Sequence, residues 1–456
     1  MLTDSSIIAR CGLGIIAATT SITVALFLGG GAAELGRAQL VVLVVTLLSG
    51  FGLLARKGMQ DLRVPWPVIV ALVSLLALPL LQLVPLSPEI WRALPGRAVE
   101  TSIIDLAGGG QLARPLALNP NVNLQLFASL TALSIFALTV ARLNPDNVDR
   151  LLRIILGLAL IQLLVGVVQF ATAGTSFDFF GNSHKGWLLG TFANRNHAGL
   201  FFACCILISA ALLERNSLSM QSSVAMERII LQAMVPLWLL AAIGTGSRTG
   251  FMLALLATGI AGIVNFRGSR LPVWAWLVSA VTLVVALSTV SMSGRVQQLV
   301  DRYDSVGDDQ RWSIWQNSMD IIANYMPWGS GFGSFVGVYN KSEPIEELIP
   351  QYVNNAHNDY LELLVEAGLP GAFVLGLVAL LVIVAVVRGV RSENSQVARH
   401  SLVGGGIVLL FVCHSVVDYP VRRMATAMIL FLAFGLLLRQ FGNSLPKRKQ
   451  GFRYKA

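Results

Sequence analysis

Apolar runs of about 16 to 22 residues recur from one end of this chain to the other, the length that crosses a bilayer as helix. They constrain the fold more than any other feature. Of the 456 residues 55% are hydrophobic and only 12% charged, whereas a soluble domain carries roughly a quarter charged residues. The runs place spans at roughly 7–28, 38–54, 66–84, 123–141, 151–171, 197–213, 229–245, 249–265, 271–290, 361–387, 401–417 and 424–438, about twelve in all. The expected fold is all-α, a polytopic transmembrane helix bundle with one large, partly helical loop. The first run, Ile7–Leu28, reads as a span and not as a cleaved signal, because no small-residue cleavage site follows it. The two runs on either side of Gly246-Ser247-Arg248 have almost no loop between them and also read as one broken helix.

The net charge is +9, and its placement predicts orientation. Basic residues gather at Arg56, Lys57 and Arg63; at Arg142, Arg150 and Arg153; at Arg267 and Arg270; at Arg388, Arg391 and Arg399; and in the tail from Lys447 to Lys455. Under the positive-inside rule these segments face the cytoplasm. The pattern predicts a multi-pass membrane protein with both termini cytoplasmic. Nucleic acid is not an expected partner; membrane lipids are, and anionic lipid would suit the basic tail. Three sizeable segments are then left on the outer side, near 85–122, 172–196 and 291–360. The expected organisation is membrane helices over 1–290, a large outer loop over 291–360, membrane helices over 361–438 and a basic cytoplasmic tail over 439–456. A loop of about 70 residues exceeds a plain connector, and ordered loops of that size usually carry function. Within it, Asp309–Tyr325 reads as an amphipathic helix with Trp312, Trp315, Met319 and Ile322 on one face, suited to the membrane interface.

The polar end of that loop, Asn354-Asn355-Ala356-His357-Asn358-Asp359-Tyr360-Leu361-Glu362-Leu363, sets one histidine in an asparagine-rich turn just before a membrane helix. Imidazole takes or gives a proton near neutral pH. Arg248, in Gly244-Thr245-Gly246-Ser247-Arg248-Thr249-Gly250, lies between two apolar runs, where an arginine is costly and so a functional candidate. Arg311 opens Arg311-Trp312-Ser313-Ile314-Trp315; a guanidinium forks onto phosphate or carboxylate oxygens. Pro327-Trp328-Gly329-Ser330-Gly331-Phe332-Gly333 has alternating glycines but no Lys-Ser or Lys-Thr after them, so it is not a Walker loop and reads by itself as a bend. His414 and Asp418 are four apart on one helix face, spaced for a pair. His400 reads as a solvated loop residue. Cys11, Cys204, Cys205 and Cys413 read as packing residues of apolar segments. No His-x-x-x-His, Cys-x-x-Cys or Asp-x-Asp spacing appears, so no metal or other cofactor is expected.

Four motifs in order resemble a known family: Asn194-Arg195-Asn196-His197; Ser247-Arg248-Thr249-Gly250; Arg311-Trp312 with the glycine stretch from Pro327 to Gly333; and His357-Asn358-Asp359-Tyr360-Leu361-Glu362 with Glu366-Ala367-Gly368-Leu369-Pro370-Gly371. The chain resembles the bacterial O-antigen ligase and polysaccharide polymerase family. The resemblance implies a metal-independent, inverting glycosyltransferase whose donor is a glycan on a polyprenyl (undecaprenyl) diphosphate. It implies His357 as the catalytic residue, Arg248 and Arg311 as diphosphate-binding residues, and Arg195, His197, Asn358 and Asp418 as supporting candidates. The acceptor would be a glycan or lipid-linked glycan, and chain-length regulators or flippases would be compatible partner proteins.

Two activities share this chemistry. A polymerase joins a growing chain to the next lipid-linked repeat unit; a ligase moves a finished chain onto lipid A–core, or onto protein in some relatives. Likeness to the members containing Asn-Arg-Asn-His favours the polymerase of an exopolysaccharide or O-antigen. A transporter or flippase of lipid-linked oligosaccharide is the reading from another class. Against it, the sequence has no repeated halves and its polar candidates crowd one face.

Overall fold

The computed structural model describes residues 4–31, 36–50, 64–180, 184–215, 222–266, 311–345 and 353–441. The expected span at 271–290 lies outside them, as do the basic residues Arg56, Lys57 and Arg63, Arg267 and Arg270, and those of the tail. Helices dominate. They are α1 (Asp4–Leu28), α2 (Arg37–Leu48), α3 (Trp66–Gln82), α4 (Pro88–Ala93), α5 (Ala98–Leu106), α6 (Pro120–Arg142), α7 (Pro145–Ala171) and α8 (Arg195–Arg215). There follow α9 (Ser222–Gly244), α10 (Arg248–Phe266), α11 (Arg311–Tyr325), α12 (Phe335–Ser342), α13 (Asp359–Val390), α14 (Ser395–His414) and α15 (Met424–Leu438). Strand is confined, among the described residues, to β1 (Pro85–Leu86) paired antiparallel with β2 (Arg114–Pro115).

Seven of these helices are long and apolar enough to cross a membrane: α6, α7, α8, α9, α13, α14 and α15, the last extended to Phe441. Four shorter apolar helices, Gly12–Leu28 of α1, α2, α3 and Arg248–Gly262 of α10, coincide with other predicted spans. α9 and α10 are two helices joined by a tight turn at Gly246, φ 66°, and not one broken helix.

Local sequence sets the helix starts. Asn119-Pro120 and Asn144-Pro145 place a capping amide before a proline at the first helical position; the Asn side chains accept from Val122 N and Asn147 N. α8 is central, with 94% of its apolar window buried by neighbouring helices, against 17% for α13. α8 and α10 touch backbone to backbone. A Cβ on Gly199 would stand 2.7 Å from the Gly250 Cα, so both positions need hydrogen in its place.

Charged groups inside the bundle are paired at its ends. At the end away from α13's N-terminus, Arg399 forks onto Asp149 at 3.0 and 3.2 Å and His400 Nε2 lies 3.1 Å from the same carboxylate. His400 is therefore a buried helix residue and not a solvated one; a membrane-embedded carboxylate needs such partners. Cys204 and Cys205 are buried as expected, but Cys413 faces outward on α14.

At the opposite end a second apolar core, including Ile314, Ile321, Tyr325, Phe335, Val338, Tyr339, Ala356 and Val365, packs α11 and α12 onto the start of α13. The expected apolar face of α11 is divided. Trp312 and Met319 are exposed, whereas Trp315 and Ile322 lean on this core and Trp315 Nε1 donates to Ala356 O at 3.0 Å. The glycine stretch is a docking loop and not a plain bend. Gly329, Gly331 and Gly333 all have positive φ, 78°, 97° and 77°. A side chain on Gly329 would stand 2.6 Å from Glu366 backbone atoms, and those on Gly331 and Gly333 would run into Ala117 and Val122. Ser330 N and Gly331 N donate to Val365 O and Glu366 O, carbonyls left open where α13 kinks at Gly368, φ 53°.

Candidate active site

Asp418 is the hub on which three stretches of chain, around 194–197, 357 and 414–419, converge. It sits in the turn after α14 and is wholly buried. Asn194 Nδ2 and Asn196 Nδ2 donate to its Oδ2 at 3.2 and 2.8 Å, and Tyr419 N donates to Oδ1 at 3.0 Å. Three imidazoles face it: His357 Nδ1 at 3.4 Å from Oδ1, His414 Nε2 at 3.7 Å and His197 Nε2 at 3.9 Å from Oδ2. Burial alone would raise this carboxyl. The His357 imidazole, with His197 and His414 beside it, outweighs burial and holds Asp418 well below the usual carboxylate range.

Of the three rings only one is open. The side chain of His357 is 28% exposed, those of His197 and His414 2% and 0%. His357 is held in the left-handed region, φ 50°, uncommon for a residue with a side chain. Its edge meets Tyr419, ring centres 5.0 Å apart, and Tyr419 in turn lies under the Arg423 guanidinium at 5.2 Å. Asn358, the next residue, caps α13; its Oδ1 accepts from Tyr360 N at 3.0 Å and Leu361 N at 3.1 Å. Such a cap contributes about 1 kcal/mol, and here it also fixes where the His357 turn meets the helix.

The expected anion-binding arginines both open helices. Arg248 starts α10 directly after Ser247, whose Oγ accepts from Gly250 N at 2.9 Å and donates to Asn196 Oδ1 at 2.7 Å. Arg248 is thus two hydrogen bonds, through Ser247 and Asn196, from Asp418. Arg311 starts α11, near enough for its charge to be felt at His414. A guanidinium beside the unpaired N–H groups of a helix start is a favourable place for phosphate oxygens. Arg195 opens α8 with a buried Nη1 that has no hydrogen-bond partner among the described residues. The structure therefore brings His357, Asp418, His197 and Asn358 together directly, and Arg248, Arg311 and Arg195 to the helix starts around them.

Sequence reasoning missed the roles of Asn194 and Asn196 as donors to Asp418, and missed Tyr419, Arg422 and Arg423 altogether. Asn194 and Asn196 had a signal, since they flank Arg195 in a quoted motif; Arg422 had none, because its partners lie 56 to 63 positions away. Among the described residues no group of three or more His, Cys, Asp or Glu is arranged to hold a metal ion.

These features define a polytopic helical membrane protein with one reachable imidazole backed by a buried carboxylate. Residues 233–376 match the sequence model of the family described as O-antigen ligase, a likeness that supports the O-antigen ligase/polymerase resemblance over that segment. The matched segment contains Arg248, Arg311 and His357, while Asn194 to His197 and Asp418 fall outside it. No curated protein matches the chain.

Proposed function

We propose that this protein is an inner-membrane glycosyltransferase that moves a glycan from a polyprenyl diphosphate donor to a sugar hydroxyl at the periplasmic face, polymerising repeat units of an exopolysaccharide or O-antigen. The observation that carries the reading is the pairing of His357, the one open imidazole of the cluster, with buried Asp418. A proton on Nδ1 directed at Asp418 leaves the Nε2 lone pair free to act as general base. Nε2 takes the proton of the acceptor hydroxyl, whose oxygen bonds the anomeric carbon as the bond to the diphosphate oxygen breaks. The diphosphate leaves with that electron pair, and single displacement from the opposite face inverts the anomeric centre. Arg248 and Arg311 offset the charge that builds on the leaving group, an effect strongest where water is excluded. Asp418 stabilises the imidazolium as it forms. No metal is needed for any of these steps, because the diphosphate already leaves well. The positive-inside reading of the basic segments supports a periplasmic position for this end of the bundle.

A second reading, ligase activity onto lipid A–core, is favoured by the description of the matching family. Both readings place the same residues in the same roles. One experiment separates them: analysis of the surface glycan and lipid-linked pool in a strain lacking the protein, restored with wild type or His357→Ala. Single repeat units without long chains support the polymerase. Long chains accumulating on the lipid carrier support the ligase. Full restoration by His357→Ala would remove the histidine from the mechanism.

A further inference from the structure

Four residues beyond Asp418, Arg422 faces three carboxylates that the transfer chemistry does not use. Its Nη2 donates to Glu366 Oε2 at 2.7 Å, its Nε lies 3.1 Å from Glu362 Oε1, and Asp359 Oδ1 stands 4.0 Å away. All three carboxylates project from one face of the first turns of α13, with Glu362 and Glu366 buried. Each glutamate spends its remaining capacity on backbone. Glu362 Oε2 accepts from Ala356 N at 3.0 Å, the residue before His357. Glu366 Oε1 accepts from Gly333 N at 2.9 Å and Phe335 N at 3.2 Å, closing the glycine loop.

We propose that Arg422 is a positioning residue: it locks the His357 turn and the glycine loop onto α13 so that the imidazole meets Asp418 in register. The inference rests on the glycosyltransferase reading of this site. Asp418 and Arg422 lie on one short stretch that includes the single helical turn Pro420–Arg422. Asp418 addresses the ring of His357; Arg422, through Glu362, addresses the backbone of the residue before it, Ala356. A shift of that stretch moves both handles together, which keeps the pair aligned despite the unfavourable φ of His357. The task suits arginine, whose planar fork reaches two carboxylates in fixed geometry, where an ammonium is a point charge. Without a cation between them, Glu362 and Glu366 would be buried like charges one helical turn apart. The clamp reaches the residue before His357 and the glycine loop, so it governs the base more than the donor site.

The test uses the full-length protein as wild type, Arg422→Lys, Arg422→Met and His357→Ala. Binding of undecaprenyl diphosphate is measured on protein in lipid nanodiscs. Long-chain glycan output is measured in the strain lacking the chromosomal copy, which supplies its own lipid-linked donor. Misplacing a catalytic group by about 1 Å costs on the order of a hundredfold, so Arg422→Met is expected to lower output by about that factor. Binding should stay within about twofold of wild type, the signature of a lost transition-state contact. Arg422→Lys should recover part of the output. Wild-type output from Arg422→Met, or binding that falls in step with output, overturns the proposal. If Arg422→Met does not accumulate, Arg422→Lys decides: lower output with binding intact supports the clamp, while unchanged output, or failure of this variant to fold as well, overturns it. Full output from His357→Ala is the separate result that would remove the glycosyltransferase reading itself.

Discussion

Asp418→Asn is the substitution that most directly tests the catalytic pair. It keeps the size of the side chain and its bond from Tyr419 N, but removes the negative charge 3.4 Å from His357 Nδ1. When the base takes its proton, that charge faces a new imidazolium. At an effective dielectric of about 20 the attraction at this distance is roughly 5 kcal/mol. His357 is partly open to water, so about half of this, roughly 2–3 kcal/mol, is retained in the transition state. At about 1.4 kcal/mol per decade this is roughly a hundredfold in rate. Donor binding should change little, because Asp418 is buried and touches no leaving group. The new amide also meets the amide donors of Asn194 and Asn196, so thermal unfolding is measured alongside to separate folding from chemistry. The assay is single-turnover transfer from a lipid-linked donor by purified protein. A folded Asp418→Asn protein with a wild-type single-turnover rate would refute the pairing of base and carboxylate.

Three further outcomes follow from the same geometry. Arg248→Ala and Arg311→Ala should each weaken undecaprenyl diphosphate binding by roughly ten- to a hundredfold, the worth of a hydrogen bond to a charged group, while His357→Ala should leave it nearly intact; equal binding loss in all three would merge anchors and base into one structural unit. Gly331→Ala, at φ 97° and against Ala117, should destabilise the protein by about 1–3 kcal/mol in thermal or denaturant unfolding, and a neutral result would contradict the docking of the glycine loop on the 83–119 segment. Lys341 donates to Glu100 at 2.7 Å and to Tyr325 Oη at 2.8 Å, tying α12 to α5 and α11. Burial would lower Lys341, but those bonds raise it overall, while burial raises Tyr325. Both groups thus have folded values above their unfolded ones. Their contribution is full below about pH 10 and fades as pH rises through the folded values. Lys341→Met should cost less than about 1 kcal/mol at neutral pH and flatten that alkaline loss of stability.

The bundle was legible because hydrocarbon leaves a chain few options. Apolar run length placed the long apolar helices that the structure describes, and Asn-Pro pairs marked two of their starts, but the short helices α4, α5 and α12 carry no such signal. α2 ends at Leu48 with Ser49 as its cap, before the end of the expected span. The site was legible in part, for a chemical reason. His357, Arg248 and Arg311 each stand out as polar groups in apolar or asparagine-rich surroundings, a contrast visible in one dimension. That His357 faces Asp418 is not visible there. Asn194 and Asn196 read as a motif flanking Arg195, yet their function is defined by Asp418, more than two hundred positions later. The glycine stretch looked weak for the same reason: its positive φ values are required by Ala117, Val122 and the kink at Gly368, none of them nearby in sequence. His400 was misread because a basic loop at a helix start looks solvated until Asp149 is seen beside it.

Buried charge is a poor way to hold a membrane bundle together. A buried pair roughly breaks even against well-packed apolar side chains, and losing one partner is costly. Yet this chain spends its most elaborate polar construction on one carboxylate at one end of the bundle. Asp418 takes three N–H donors, three imidazoles surround it, and two of those imidazoles are closed to any substrate. The Asp149 cluster at the other end is simpler: an arginine fork and one histidine satisfy the carboxylate and leave no open ring. The contrast fits a structural pairing at one end and the proposed chemical one at the other. His197 and His414 press on a carboxylate that hydrogen bonds already satisfy, at distances too long for strong bonds of their own. The three N–H donors and the His357 ring favour the ionised form of Asp418 despite its burial, and an ionised Asp418 matters to the one ring of the cluster that meets the outside. The fold thus supports an exposed, conformationally unfavourable histidine with a charge that stability alone does not require.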